Sequence, residues 1–335
     1  MFFKFFLVIL SFILFTTGLS YSAEMINGAG ATFPYPLYST WASDYNKATG
    51  IKVNYQSIGS GGGIRQITER TVHFGASDMA LNPDEVEKSK LLQFPAAIGG
   101  VVPVVNIPGI GAQKLILDGT TMCEIFLGEI KRWDDPKIKN LNPNLSLPAK
   151  PITVIYRSDG SGTTAIFTHY LSDVCKKWQQ NVGFGTSVKW RTGLGGKGNE
   201  GVANYVKRTP NSIGYVEFAY AKQNKLSVAN IKNAAGNVVK PDFESFAAAA
   251  SSATLEPKSH FYAWMTNAPG KNAWPITGAT YILLAREKTE INRSVVKFFD
   301  WAFQNGDETA KKLDYVPLPQ NLKDKVRAYW KSYIK

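Results

Sequence analysis

Residues 156–167, YRSDGSGTTAIF, place Arg157, Asp159, Ser161, Gly162, Thr163 and Thr164 within eight positions, directly ahead of an apolar run. Three chemistries use such a set. A guanidinium offers planar, two-pronged hydrogen bonds to an oxyanion, and Asp159 two residues on can orient it. A serine in a glycine turn can act as a nucleophile. Ser or Thr can also simply cap a helix. The spacing alone leaves all three open.

Two further stretches share the character of this one. GAGATFP (28–34) and IGSGGGI (58–64) pair small residues with a hydroxyl, Thr32 and Ser60, ahead of apolar residues at helical spacing. A helix start carries unpaired N–H groups and a partial positive charge, so it holds an anion when bulky side chains do not block the approach. Asp78, in GASDMAL, runs against this pattern. A carboxylate near a bound anion repels it unless the ligand brings a proton to share. One acceptor in a ring of donors therefore selects a protonated oxyanion such as HPO₄²⁻ over sulfate.

The competing motifs fit poorly. RTGLGGKGN (191–199) has Arg191 where a P-loop requires its first glycine and Gly198 after the lysine, so it reads as a flexible glycine loop without a site role. Ser161 has Asp159 where G-x-S-x-G requires glycine, and His169 falls in the helix that Ser161 would start. His73, His169 and His260 lack zinc-site spacing, and the dispersed lysines form no basic-aromatic cluster for nucleic acid.

The elements that must position these residues follow strand–turn–helix–strand grammar. MINGAGATF (25–33) reads as a strand entering a turn, and Leu37, Trp41 and Tyr45 as a helix closed by Gly50. IKVNYQSIG (51–59) alternates as a strand, SGGG (60–63) reads as a turn, and a helix begins at Ile64 and Ile67. FPAAIGGVVPVVNIPG (94–109) reads as a buried strand interrupted at Pro103, and WPITGATYILLAR (274–286) as a second one. Two such runs suit a chain that crosses between lobes and returns, with a discontinuous first lobe at 24–103 plus 277–335 around a second at 104–276. FAAAASSA (246–253) reads as a helix end. The tail from Asn321 to Lys335 reads as an amphipathic helix with Leu322, Val326, Tyr329 and Tyr333 on one face.

The N-terminus, MFFKFFLVILSFILFTTGLSYSA, orders a basic residue, an apolar block and small residues as a secretory signal does, which predicts cleavage near Ala23. Removing Lys4 from the net charge of +12 leaves the mature chain at about +11, a balance that suits an anionic partner of any kind. Cys123 and Cys175 are the only cysteines. Export permits a bridge between them, and the sequence does not say whether they meet.

Taken in order, INGAGATFPYPLYSTW, VNYQSIGSGGG, FGASDMAL, QFPAAIGGVVPVVNIPG, YRSDGSGTT, GLGGKGNEGVA, IGYVEFAYA and AWPIT resemble the periplasmic phosphate-binding proteins of bacterial high-affinity phosphate ABC transporters. The resemblance spans nearly the whole mature chain. It implies an α/β, two-lobed type II periplasmic binding protein fold, each lobe a mixed sheet flanked by helices, with the ligand in the inter-lobe cleft. It further implies a monomeric, non-enzymatic periplasmic receptor that uses no cofactor, binds no nucleic acid and hands inorganic phosphate to inner-membrane permease subunits. Carried over motif by motif, it assigns phosphate contacts to Thr32, Phe33, Ser60, Asp78, Arg157, Ser161, Gly162 and Thr163, with Asp159 orienting Arg157. Gly61 stands where many members have a second serine, and Ser158 replaces a common alanine. The alternatives from other classes are a secreted phosphoesterase using Ser161 and an anion-binding surface adhesin.

Overall fold

Among the described residues, twelve strands follow the chain: β1 (Met25–Gly30), β2 (Lys52–Ser57), β3 (Phe74–Ser77), β4 (Leu91–Asn106), β5 (Ile116–Asp118), β6 (Thr153–Arg157), β7 (Leu194–Gly196), β8 (Ser212–Glu217), β9 (Ser227–Val228), β10 (Asn230–Lys232), β11 (Val238–Val239) and β12 (Thr277–Ala285). A computed structural model describes residues 25–111 and 113–334, so the secretory signal read at the N-terminus lies outside the described residues. The main sheet runs β2-β1-β3-β12-β4-β8-β6-β7, with β9 also on β4, and a small sheet runs β11-β10-β5. Helices flank both. The result is the α/β, two-lobed architecture with mixed sheets.

The sixteen residues of β4 organise the molecule. Leu91–Gly100 pairs antiparallel with β12, and Val101–Asn106 pairs antiparallel with β8. The strand therefore changes partners at its middle. Since β1, β2 and β3 run parallel to one another and antiparallel to β12, their carboxyl ends point toward that middle. β8, β6 and β7 run parallel to one another and antiparallel to β4, so their carboxyl ends return to the same place from the other side. The turns after six strands face one another there.

The expected break of β4 at Pro103 does not occur. Pro103 stays in the ladder opposite Tyr215, and its carbonyl accepts from Ala229 N at 3.1 Å. Its ring fits an extended backbone, and a proline costs only the one N–H it lacks.

SGGG is likewise not a turn. The turn ends at Gly59, and the helix Ser60–Thr68 includes all three glycines. Packing overrides their low helix propensity. A Cβ on Gly63 would lie 2.5 Å from the Gly30 Cα and 2.7 Å from the Ala29 carbonyl, so only glycine lets this helix lie against β1. Elsewhere the expected elements form. The helix Tyr35–Thr49 buries Leu37, Trp41 and Tyr45 and ends at Gly50 in the left-handed conformation, its N–H bonded to the Asn46 carbonyl. The helix Phe243–Ala250 takes up the alanine run. The tail helix Gln320–Tyr333 buries Leu322, Val326 and Tyr329, whereas Tyr333 is 37% exposed.

Cys123 and Cys175 are bridged, with Cα atoms 6.5 Å apart and a sequence separation of 52. The bridge ties the helix Gly119–Phe126 to the far end of the helix Gly162–Val174, whose start carries Gly162 and Thr163. Closing a loop of that length in the unfolded chain contributes roughly 3–4 kcal/mol. Denaturant unfolding of the Cys123→Ala/Cys175→Ala variant should show about that loss, and a change below 1 kcal/mol would count against the constraint.

Candidate functional site

The three glycine-hydroxyl turns meet at the middle of β4. The first follows β1, where the Tyr220 hydroxyl donates to the Thr32 carbonyl at 2.5 Å and the Tyr315 hydroxyl to the Phe33 carbonyl at 2.6 Å. These two bonds clamp the backbone of the turn. Thr32 and Phe33 are both buried. The second turn follows β2 and starts its helix at Ser60. The third follows β6, and there Ser161 caps the helix, its Oγ accepting from Thr164 N at 3.0 Å. The capping reading of this serine is thus correct in part, and it does not account for Arg157.

The Arg157 side chain is almost fully buried. Its Nε donates to Asp159 Oδ1 at 2.8 Å and its Nη2 to Asp159 Oδ2 at 2.6 Å, a two-pronged pair, while Nη1 donates to Thr163 Oγ1 at 3.3 Å. Gly198 N also donates to Asp159 Oδ1, at 3.0 Å. Burial pushes the Asp159 carboxyl up, but the Arg157 fork, its charge and the Gly198 amide outweigh that and hold it below the usual carboxylate range. The two-pronged pair of Arg157 and Asp159 carries no net charge.

Ser60 joins the halves. Its Oγ accepts from Asp78 N at 3.2 Å and from Gly162 N at 3.0 Å. Gly61 N donates to the Gly160 carbonyl at 3.0 Å, so the backbones also touch. A Cβ on Gly162 would lie 2.5 Å from Ser60 Oγ and 2.6 Å from the Asp78 Cβ, which requires glycine at this contact. A Cβ on Gly61 would come within 3.2 Å of the Gly160 Cα, so the absence of a second serine there suits the close approach.

Asp78 is 3% exposed. Its Oδ2 lies 3.5 Å from Ser60 Oγ, and its Oδ1 is a buried oxygen with no hydrogen-bond partner among the described residues. Burial pushes its carboxyl up to about 7, with Thr280, Arg157 and Ser60 pulling it back. A buried acceptor left unpaired is costly. Here it lies among hydroxyl and amide donors, an arrangement that suits a ligand bringing its own proton.

The glycine loop set aside in the sequence does reach the site. Leu194–Gly196 is strand β7 beside β6, and the helix Gly198–Arg208 starts directly after it. Asn199 is fully buried. Its Nδ2 donates to Thr32 Oγ1 at 2.6 Å and to Thr163 Oγ1 at 3.2 Å, its N donates to Thr32 Oγ1 at 3.2 Å, and its Oδ1 accepts from Glu217 N at 2.9 Å. The one available signal was that GKGN is a fourth helix start rich in glycine. Two other participants were missed. The Tyr215 hydroxyl receives Arg157 N at 3.2 Å and lies 2.7 Å from Thr164 Oγ1. Glu217 Oε2 accepts from Ala219 N and lies 2.8 Å from the Tyr315 hydroxyl, and burial raises its carboxyl well above the usual range.

The histidines are engaged elsewhere. His169 Nδ1 lies 2.7 Å from Thr266 Oγ1 with its ring stacked on Trp264, His260 lies between Tyr329 and Glu87, and His73 Nδ1 accepts from Asn27 N.

Residues 17–305 match the PBP superfamily domain. The chain is 54% identical over 326 residues to the phosphate-binding protein PstS of Pasteurella multocida, covering 96% of this chain and 95% of that one. It is 54% identical over 315 residues to the PstS of Haemophilus influenzae, covering 93% and 94%. Among solved structures it is similar to a high affinity periplasmic phosphate-binding protein bound with phosphate, at 24% identity and a TM-score of 0.72, covering 90% of this chain and 93% of that one. That last likeness concerns the fold.

Proposed function

We propose, because the chain belongs to the phosphate-binding protein PstS family of the PBP superfamily, that it captures inorganic phosphate between two lobes and delivers it to the permease subunits of an ABC transporter. The observation that carries this reading is the unpaired, buried Asp78 Oδ1 among donors from three helix starts. In this reading Thr32, Phe33, Ser60, Arg157, Ser161, Gly162 and Thr163 supply hydroxyl, amide and guanidinium protons to the phosphate oxygens. Asp78 accepts the phosphate proton, and Asp159 keeps the Arg157 fork in place.

The lobes are proposed as 24–103 with 277–335 and 104–276, joined by β4 and the segment leading into β12. Closure about that pair explains the Gly61–Gly160 backbone bond and the Lys222–Asp314 ion pair. The chain acts as a monomeric carrier without catalysis, exported to the periplasm by its N-terminal signal. The phosphoesterase reading is not favoured, since Ser161 spends an acceptor position on its helix cap and each histidine is committed to other partners.

Calorimetric titration tests the assignment. Phosphate should saturate at one per chain, and sulfate in excess should not compete. The bound form should also scatter as a more compact particle than the free one. Sulfate binding as tightly as phosphate would overturn the role of Asp78, and the absence of any phosphate heat would overturn the function.

A further inference from the structure

The hydroxyls of Tyr220 and Tyr315 grip successive carbonyls of the turn after β1, and the second of them leaves a proton unaccounted for. A phenol has one proton to donate. Tyr315 gives its proton to the Phe33 carbonyl at 2.6 Å, and a carbonyl can only accept. The same hydroxyl oxygen lies 2.8 Å from Glu217 Oε2. With its own proton spent on Phe33, the phenol can only accept along this second contact. The proton between the two side chains must then come from Glu217. An acid hydroxyl at Oε2 can donate to Tyr315 and still accept from Ala219 N, which lies 2.9 Å away.

The surroundings of Glu217 point the same way. The residue is fully buried, and its Oε1 has no hydrogen-bond partner among the described residues. The titratable groups that face it are Tyr315, Tyr220, Asp314 and Asp78, and both aspartates oppose its ionisation. Lys222, on the helix Phe218–Gln223, is committed to Asp314. Beyond Tyr220 lie Glu200 and Arg157, the latter committed to Asp159. A carboxylate here would be a buried charge without a cation, which costs far more than one unpaired carbonyl oxygen.

We propose that Glu217 carries a proton in the folded chain at neutral pH and through it acts as a positioning residue for anion capture: the acid holds Tyr315, and Tyr315 holds the Phe33 carbonyl. The positioning role rests on the phosphate reading, in which the turn at Thr32 and Phe33 contacts the ligand; the proton does not. Phe33 follows β1, Glu217 ends β8, and Tyr315 precedes Val316, which bridges to Ile98 of β4. The link from Phe33 through Tyr315 to Glu217 thus crosses the middle of β4. The Glu217 backbone extends it, since its N–H donates to Asn199 Oδ1 and Asn199 Nδ2 donates to Thr32 Oγ1. Loss of the proton would break the Tyr315 contact and add a second buried negative charge beside Asp78, where an anion must enter. Glutamine replaces this acid incompletely. Its oxygen and nitrogen are separate atoms, so the one facing Tyr315 can donate to the phenol or accept from Ala219 N, and not both.

Infrared difference spectroscopy of the full chain at about pH 8, with and without inorganic phosphate, tests the proton directly. The wild type should show a carboxylic-acid C=O band that shifts in D₂O and disappears in Glu217→Gln. Tyr315→Phe should keep this band and move it, because the acid loses its acceptor. If Glu217→Gln removes only carboxylate absorption, Glu217 is ionised and the proposal is overturned. Phosphate titration then tests the positioning role. Glu217→Gln, still a neutral donor toward Tyr315, should lower affinity by about threefold, and Glu217→Leu by about tenfold or more. In a Tyr315→Phe background, Glu217→Leu should cost less than about threefold, because the hydroxyl through which it acts is gone. Equal losses for the glutamine and leucine variants, or the full leucine loss in both backgrounds, would overturn the positioning role. If the wild type binds no phosphate, that role falls with the functional reading, and the infrared band still decides the proton.

Discussion

Arg157→Ala should weaken phosphate binding by about 3–5 kcal/mol, a loss of roughly 100-fold to several thousand-fold, in calorimetric titrations of the chain. A charge-assisted hydrogen bond to the ligand alone accounts for about 1.5–3 kcal/mol. The larger figure comes from Asp159. In the folded protein its carboxylate is neutralised by a two-pronged bond from Arg157 at 2.8 and 2.6 Å, with the Arg157 side chain 1% and the Asp159 side chain 12% exposed. Truncating Arg157 leaves that carboxylate unpaired beside the incoming anion. Adding Asp159→Asn to Arg157→Ala should therefore recover part of the loss. Arg157→Lys should recover little, because an ammonium cannot span both Asp159 oxygens and still reach Thr163 and the ligand. A loss below tenfold for Arg157→Ala would place the guanidinium outside the binding step.

Local chemistry was legible in the sequence; relations between distant strands were not. Thr32, Ser60, Ser161 and Thr163 stand out because a hydroxyl, a glycine and a following apolar series are neighbours in the chain, and the helix starts they mark depend on little else. Asp78 was legible by contradiction, as an acid at a strand end in a chain otherwise arranged for anions. Asn199, Tyr215 and Glu217 had no such local mark. Asn199 becomes important because β7 lies beside β6, and Glu217 because the carboxyl end of β8 meets Val101 in the middle of β4. Those are facts of strand order. The same limit explains SGGG, whose glycines argue for a turn locally and are helical because Gly63 lies against Gly30. It also explains the cysteines: 52 residues apart, their meeting depends on how two helices pack.

Asp78→Asn separates the two consequences of burying an unpaired carboxyl, one on stability and one on selectivity. Asp78 has a folded-state value of about 7 against an ordinary value of 3.8. The folded protein thus holds a proton that the unfolded chain releases between those values, and ligand-free stability falls as pH rises from about 4 to 7. At 1.36 kcal/mol per unit, the full span is on the order of 4 kcal/mol. Asparagine cannot ionise, so the ligand-free variant should match the wild type near pH 4 and unfold at a higher denaturant concentration at pH 8. With ligand the sign reverses. In the proposed reading, the carboxylate that destabilises the free protein above about pH 7 is also the group that takes the phosphate proton and repels sulfate. Asp78→Asn should consequently let sulfate compete and reduce the phosphate-to-sulfate preference by at least roughly tenfold. A variant with unchanged preference would show that selectivity resides in the donors alone. A variant gaining no stability at pH 8 would mean that Asp78 is already ionised and satisfied without ligand. If both effects appear together, the instability of the empty site at neutral pH and its preference for a protonated oxyanion have one cause, the unpaired Oδ1 of Asp78.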